Sequence, residues 1–222
     1  MPISNFSGNT YVAFSDLNGF KEMMRNHQNA AKALDKLYST VYALKKKPGY
    51  SRIQTLAVSD CAISFVSNSN GNNATDLQLI LKFLKELHTE MLSVEYLITS
   101  SVAHGQFSYQ ERIELIGLEK NMLYGNAYLN AYLNNEKSPE GSIVIICEEG
   151  KKINVRQESG EYSEFLKDIR IGVKGLQFFW AVPSADDINK FENAYQDTYN
   201  LKYKGMISVY KNYLRPPNLR GD

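Results

Sequence analysis

The chain has 222 residues, of which 43% are hydrophobic and 22% charged, with a formal net charge of +1. This composition is typical of a globular protein and gives no bulk electrostatic attraction to nucleic acid or to a membrane surface, so we expect neither as a partner. No apolar run approaches the roughly 18 residues that would span a bilayer. The opening stretch, MPISNFSGNT, lacks the pattern of a secretion signal, and we expect a cytoplasmic protein.

Strands and helices alternate along most of the chain. Apolar periodicity predicts strands at 11–14, 53–58, 61–66, 96–103, 142–147 and 176–182, and helices at 21–44, 77–92, 124–135 and 187–214. Helices that connect the strands of one sheet predict an α/β fold, a ferredoxin-like α/β sandwich. We expect one domain over 1–185 and a C-terminal helical extension of it over 186–222.

Two aspartates are placed where a cation site can form. Asp16 ends the first strand, and Asp60 lies at the tip of the predicted hairpin. These strands are neighbours in a ferredoxin-like sheet, so both carboxylates are expected at one edge, as Mg²⁺ or Mn²⁺ requires. The Leu17 carbonyl is a further candidate ligand, and the backbone N–H groups of Leu17–Phe20 are candidates for binding an anion. An ordinary helix cap and an ordinary turn use the same residue types, and spacing alone leaves both interpretations open.

Five segments resemble, in the same order, motifs of the class III nucleotidyl cyclases, the adenylate and guanylate cyclase family. The first two resemble the metal-binding motifs, and the others resemble the strand-then-glycine segment, the helix after a Gly-x-Ala turn and the valine-lysine-glycine strand. The segments are FSDLNGF (14–20), LAVSDCAISF (56–65), VAHGQF (102–107), YGNAYLNAYLNNE (124–136) and IGVKGLQFFWAV (171–182). The resemblance therefore spans roughly residues 10 to 183 and implies the class III cyclase fold.

This resemblance implies a homodimer with active sites at the subunit interface and a nucleoside triphosphate as substrate. Two divalent ions, Mn²⁺ or Mg²⁺, would be held by Asp16, Leu17 and Asp60. The triphosphate would be bound by Asn18, Gly19, Phe20 and Lys174, although Lys174 is equally compatible with a solvated lysine in a turn. The products would be a 3′,5′-cyclic nucleotide and pyrophosphate.

Two positions depart from the family pattern. The places of the transition-state asparagine and arginine, counted from Gly125, hold Leu129 and Leu133. Asn130 is our candidate for the catalytic role, with a helix-surface amide as the alternative. The base-reading position holds Leu56 instead of lysine or glutamate. Strand alternation places Gln54, an amide with both donor and acceptor capacity, on the same face.

The missing purine determinants and the expected stand-alone architecture resemble the pyrimidine cyclases of the bacterial Pycsar anti-phage system. That resemblance implies a uridylate cyclase whose product, cUMP, activates a separate effector protein. A cytidylate cyclase, a purine cyclase that makes cAMP or cGMP, and a catalytically inactive cyclase-like nucleotide-binding module remain alternatives.

Overall fold

One mixed sheet organises the protein. The computed structural model describes residues 3–68, 72–115, 118–168 and 173–180. The predicted helix at 187–214, the extension at 186–222 and the domain boundary at 185 lie outside these residues and stay predictions. No helix within the described ranges is long and apolar enough to cross a membrane.

The order of strands in the sheet confirms the ferredoxin-like prediction. Neighbouring strands follow the order β2-β3-β1-β4-β6-β8-β7, and β5 pairs with the far end of β4. The segment β4-β1-β3-β2 is the ferredoxin-like core, and β6 extends it by parallel pairing with β4. The strands are β1 (Phe6–Leu17), β2 (Ile53–Val58), β3 (Cys61–Val66), β4 (Ile98–Leu115), β5 (Leu118–Tyr124), β6 (Ile143–Ile146), β7 (Leu166–Asp168) and β8 (Gly175–Phe178).

Five α-helices pack around this sheet within the described residues. They are α1 (Phe20–Met23), α2 (His27–Lys46), α3 (Asn73–Leu92), α4 (Asn126–Asn135) and α5 (Lys152–Glu158). The single helix predicted at 21–44 is wrong in one respect, because the structure divides it into α1 and α2. The side chain of Asn26 accepts hydrogen bonds from the N–H groups of Gln28 and Asn29, so it starts a new helix.

The sheet carries a hydrophobic cluster on each face. Alternate residues of β1, among them Tyr11 and Ala13, face the large cluster that contains α2 and α3. Val12 and Phe14 belong instead to a smaller cluster that includes Ala127 and Ala131 of α4. Because successive strand residues alternate between faces, Asp16 shares the α4 face of the sheet.

The fourth strand is longer than predicted. The sequence suggests a break at His104 and Gly105, but β4 continues through both residues to Leu115. Its first half pairs with β1, and its second half pairs with β5, which periodicity did not predict. Pairing with β1, in which Thr10 lies opposite Gly105, keeps the backbone extended across the glycine.

Candidate active site

Strand pairing brings Asp16 and Asp60 together. Asp16 lies opposite Cys61 in the antiparallel β1–β3 pair, and the Leu17 N–H donates to the Asp60 carbonyl at 3.2 Å. Ligand atoms of Asp16, Asp60 and Cys61 consequently lie within 4.8 Å of one another. The structure thus places the two predicted carboxylates, with a thiol beside them, at one edge of the sheet.

The hairpin that carries Asp60 is held by α2. Ser59 adopts a left-handed φ of 54°, a conformation that is uncommon for residues other than glycine. The Tyr38 hydroxyl donates to the Ser59 carbonyl at 2.5 Å. Local sequence patterns do not reveal this contact, because Ser59 is 21 residues away from Tyr38 on another element.

The charge at this edge is uncompensated by protein cations. Burial raises the pKa of the Asp16 carboxyl, as do the nearby charges of Asp60 and Glu136, while the hydrogen bond from Cys61 lowers it. Among the described residues, no lysine, arginine or histidine pairs with either aspartate. Two close carboxylates suit a hard divalent cation, so these two side chains fit the expected metal.

The turn after β1 has fewer backbone donors for an anion than its sequence suggests. The Leu17 N–H is bonded to Asp60, and the Asn18 N–H donates to the Leu97 carbonyl at 2.9 Å. The Asn18 side chain also accepts a hydrogen bond from the Thr99 hydroxyl at 2.9 Å. Gly19, with a left-handed φ of 71°, and Phe20 therefore have the N–H groups that remain for a phosphate.

The α4 helix is anchored close to Asp16. The buried Asn135 side chain donates to the carbonyls of Phe14 at 3.1 Å and Thr99 at 3.0 Å. These bonds tie the C-terminal end of α4 to β1 and β4 at the strand ends beside the aspartates. The contact joins residues 121 positions apart, so local sequence patterns do not reveal it.

Two residues that the sequence marks as candidate site residues in different segments line one cavity of about 570 Å³. Asn130 and Lys174 both line it, together with Asn134 and Lys151, which the sequence analysis did not assign. Leu129 and Leu133, which the resemblance places at the transition-state positions, are instead 52% and 48% exposed. We call this the amide–lysine cavity, after Asn130 and Lys174. Asp16 and Asp60 do not line it, so the carboxylates and the cavity are at different places on one chain.

A close backbone approach explains the glycine after Lys174. A side chain on Gly175 would collide with the Ile145 carbonyl group in the neighbouring strand. The Cys147 N–H donates to the Lys174 carbonyl at 3.2 Å. Together these contacts hold the lysine at the start of β8, beside the cavity.

The face of β2 that points toward α4 is apolar at the position that the class III resemblance assigns to base recognition. Leu56 is buried opposite Ile63 in the small hydrophobic cluster. Gln54 is half-buried, and its Nε2 donates to the Ser51 carbonyl at 3.3 Å. This strand face thus offers one amide and no charged side chain between Gln54 and Leu56.

Comparison with known proteins identifies the fold. No protein family model and no curated protein sequence matches the chain. Solved structures do match, each over 79% of this chain. The guanylyl cyclase Cya2 has a TM-score of 0.57, 13% identity and 93% of its own chain covered. For the guanylate cyclase domain of RhGC from Catenaria anguillulae, in complex with GTP, the TM-score is 0.59, the identity is 15%, and 96% of that chain is covered. For the adenylyl cyclase CyaB from P. aeruginosa, the TM-score is 0.52, the identity is 14%, and 94% of that chain is covered. The chain therefore has the fold of class III cyclase catalytic domains.

Proposed function

We propose that the protein is a nucleotidyl cyclase that converts a nucleoside triphosphate into a 3′,5′-cyclic nucleotide and pyrophosphate. The substrate that we propose is UTP. The observation that carries this proposal is the uncompensated pair of carboxylates, Asp16 and Asp60, at the edge of a cyclase-like sheet. In the reaction the ribose 3′-oxygen bonds to the α-phosphorus. The bond between the α-phosphorus and the oxygen that bridges it to the β-phosphate breaks. Pyrophosphate leaves, and the hydroxyl proton passes to solvent.

The residues at this edge are suited to hold two divalent ions, Mn²⁺ or Mg²⁺. The candidate ligands are the carboxylates of Asp16 and Asp60 and the carbonyl of Leu17. Bound ions of this kind polarise phosphate oxygens and lower the pKa of a hydroxyl group. Gly19 and Phe20 would direct their N–H groups at the phosphates, while Asn18 would keep the turn in place through its bonds to Leu97 and Thr99.

The separation of the carboxylates from the amide–lysine cavity supports an active site shared between two chains. We propose a homodimer in which one protomer supplies the aspartates and its partner supplies Asn130 and Lys174. Exposed apolar side chains line the α4 side of the sheet and would be covered by a second copy. They are Val58, Leu129, Tyr132 and Leu133.

The apolar base-reading position favours a pyrimidine substrate. Leu56 has no polar group with which to recognise the hydrogen-bonding edge of a purine, whereas Gln54 offers one donor and one acceptor on the same face. A cUMP product would then act on a separate effector protein in anti-phage defence, a role that rests on the Pycsar resemblance. Cytidylate and purine cyclases are the alternatives that a substrate panel separates.

Exposed Leu129 and Leu133 favour a second candidate, a nucleotide-binding module without turnover. Neither leucine can donate a hydrogen bond to a transition state, whereas the amides next to them in sequence, Asn130 and Asn134, line the cavity. Such a module would bind triphosphates and form no product. Formation of a cyclic product distinguishes the two functions.

The first test incubates the purified protein with ATP, GTP, CTP or UTP plus Mn²⁺ and identifies products by mass spectrometry. We expect cUMP, and we expect Asp60→Asn to abolish it because one cation ligand is lost. Asp35→Asn, an equivalent change at an exposed position of α2, should leave the yield unchanged. Binding of a triphosphate without any product would support the binding module and contradict the cyclase.

A second test addresses the dimer. Leu133→Asp should shift the protein from dimer to monomer in analytical ultracentrifugation, because an unpaired charge would be buried between the copies. Ile153→Asp is the matched control, since Ile153 is also exposed but lies on α5. If both variants stay dimeric, the α4 face is not the interface.

A further inference from the structure

Lys151 lines the amide–lysine cavity, and the proposed function assigns it no role. It lies just before α5, whereas Lys174 lies just before β8, and both residues line the cavity. Both are exposed, so a dissolved ion can approach each ammonium group. Two positive charges from separate elements therefore lie at one cavity, away from the carboxylates of Asp16 and Asp60.

The acidic side chains of the cavity leave these lysines available to a ligand. Glu148 Oε2 lies 3.3 Å from Lys151 Nζ, but the two side chains are 78% and 67% exposed, and ion pairs in water contribute little. Glu158 instead accepts a hydrogen bond from the Tyr11 hydroxyl at 2.8 Å. Among the described residues, no carboxylate forms a salt bridge with Lys174. An anion with more charge than one carboxylate can therefore displace Glu148 from Lys151.

Amide groups supply further donors around the two lysines. Each asparagine side chain carries two N–H donors, and four asparagines line the cavity: Asn73, Asn130, Asn134 and Asn154. One of these donors is already used, since Asn134 Nδ2 donates to the Asn130 carbonyl at 2.8 Å. Two cations with several neutral donors suit the oxygens of a phosphate, and a volume of about 570 Å³ is within the range of small-molecule sites.

We propose that Lys151 and Lys174 bind the two terminal phosphates of the nucleoside triphosphate and hold them as the pyrophosphate leaving group. This inference rests on the proposed function in one respect, because pyrophosphate is the product of that cyclisation. As the bond to the α-phosphorus breaks, negative charge develops on the pyrophosphate, and two ammonium groups at fixed positions stabilise it. In the proposed homodimer, Lys151 thus belongs to the same contribution of the partner as Asn130 and Lys174.

A simpler role for Lys151 is to stabilise the start of α5 through its ion pair with Glu148. Two matched variants separate the roles. Lys151→Gln and Glu148→Gln break the same ion pair, but only Lys151→Gln removes the charge that would bind a phosphate. Lys152→Gln is the control for loss of a neighbouring lysine, because Lys152 does not line the cavity and pairs with Asp168 at 2.9 Å.

The experiment measures the binding of pyrophosphate to the full chain by isothermal titration calorimetry in buffer with EDTA. Chelation removes divalent ions, so pyrophosphate cannot bind through cations at Asp16 and Asp60. We expect the wild type to bind pyrophosphate. Lys151→Gln and Lys174→Gln should each bind it on the order of 10–100-fold more weakly, the range for one charge-assisted hydrogen bond.

The control variants should keep this binding. Lys152→Gln should bind pyrophosphate as the wild type does. Glu148→Gln should bind it at least as tightly, because a competing carboxylate is gone. Lys151→Arg, which keeps the positive charge, should retain most of the affinity, and circular dichroism verifies that each variant is folded.

A competition measurement identifies the source of the phosphates. Saturating UTP should prevent pyrophosphate from binding, because the tail of a triphosphate and the free product would occupy the same place. If UTP and pyrophosphate bind at the same time, the cavity holds a separate phosphate ligand and the assignment to the leaving group is overturned.

The outcomes separate this proposal from the proposed function. Absence of pyrophosphate binding, or equal affinity in the wild type and Lys151→Gln, would overturn the role of Lys151. Equal losses in Lys151→Gln and Glu148→Gln would assign Lys151 to the ion pair alone and also overturn it. A protein that binds pyrophosphate through Lys151 but forms no cyclic nucleotide supports the phosphate subsite and refutes the cyclase.

Discussion

Gly125→Ala is the substitution whose effect the structure defines most sharply. Gly125 precedes α4 with a φ of 128° and a ψ of 157°, a combination that is essentially restricted to glycine. A Cβ atom built there would lie 2.8 Å from the Phe107 Cα and closer still to the Gln106 carbonyl oxygen. Both neighbours are backbone atoms of β4, so neither a rotamer change nor a flexible side chain can relieve the contact.

Two costs should therefore add at Gly125. The backbone conformation costs about 1–3 kcal/mol for a residue with a Cβ, and the forced separation of α4 from β4 costs about 1–3 kcal/mol more, as for an overpacked core. Gly49→Ala is the control, because Gly49 has a φ of 98° but no atom within 4 Å of its Cβ position. That variant should lose about 1–3 kcal/mol, from the backbone alone.

The assay is urea denaturation followed by circular dichroism, which reports the free energy of unfolding of each variant. We expect Gly125→Ala to be less stable than Gly49→Ala by about 1–3 kcal/mol, the cost of the backbone contact. Only Gly125→Ala should also impair triphosphate turnover, since the start of α4 is displaced one turn before Asn130. Equal losses in the two variants would refute the argument that β4 and α4 approach too closely for a side chain.

Two further predictions concern ionisable groups. Burial lowers the pKa of His88 to about 3, so the unfolded chain binds its proton first and stability should fall below pH 6.5 by up to about 1.4 kcal/mol per pH unit. His88→Gln should flatten that slope in urea titrations, and an unchanged slope would contradict the burial argument. Burial raises the pKa of Asp16, so ionisation costs stability as pH rises through the folded-state pKa. Asp16→Asn should accordingly unfold at higher temperature near neutral pH, with an advantage that vanishes below about pH 3.9. Mn²⁺ should stabilise only the wild type in the same thermal scans, and equal stabilisation of both proteins would place the ion elsewhere.

Local patterns were sufficient where neighbouring residues decide the structure. Alternating apolar residues around Ser59 and Asp60 predicted the hairpin of β2 and β3, and the structure confirms it. The amphipathic run at 77–92 likewise predicted α3, although its start lies earlier, at Asn73. These elements follow from side-chain periodicity and turn chemistry, which act over a few residues. The order of such elements was also enough to predict the ferredoxin-like sheet.

Local patterns failed where a partner distant in the chain decides the outcome. Gly105 interrupts the apolar pattern of β4, yet β1 keeps the strand extended through it. The helix break before α2 depended on whether Asn26 would cap a new helix or continue the old one, which its sequence position alone does not determine.

By itself the sequence determined the order of the strands and helices in the ferredoxin-like core and the two aspartates expected at one edge of the sheet, whereas β5, β7 and α5 were not predicted. Only the tertiary structure decided that Asn130 and Lys174 line one cavity and that this cavity is separate from Asp16. It also decided that the Cys61 thiol lies between the carboxylates. The physical reason is that periodicity determines which face a side chain occupies, whereas strand register and helix packing determine which side chains from distant segments meet there.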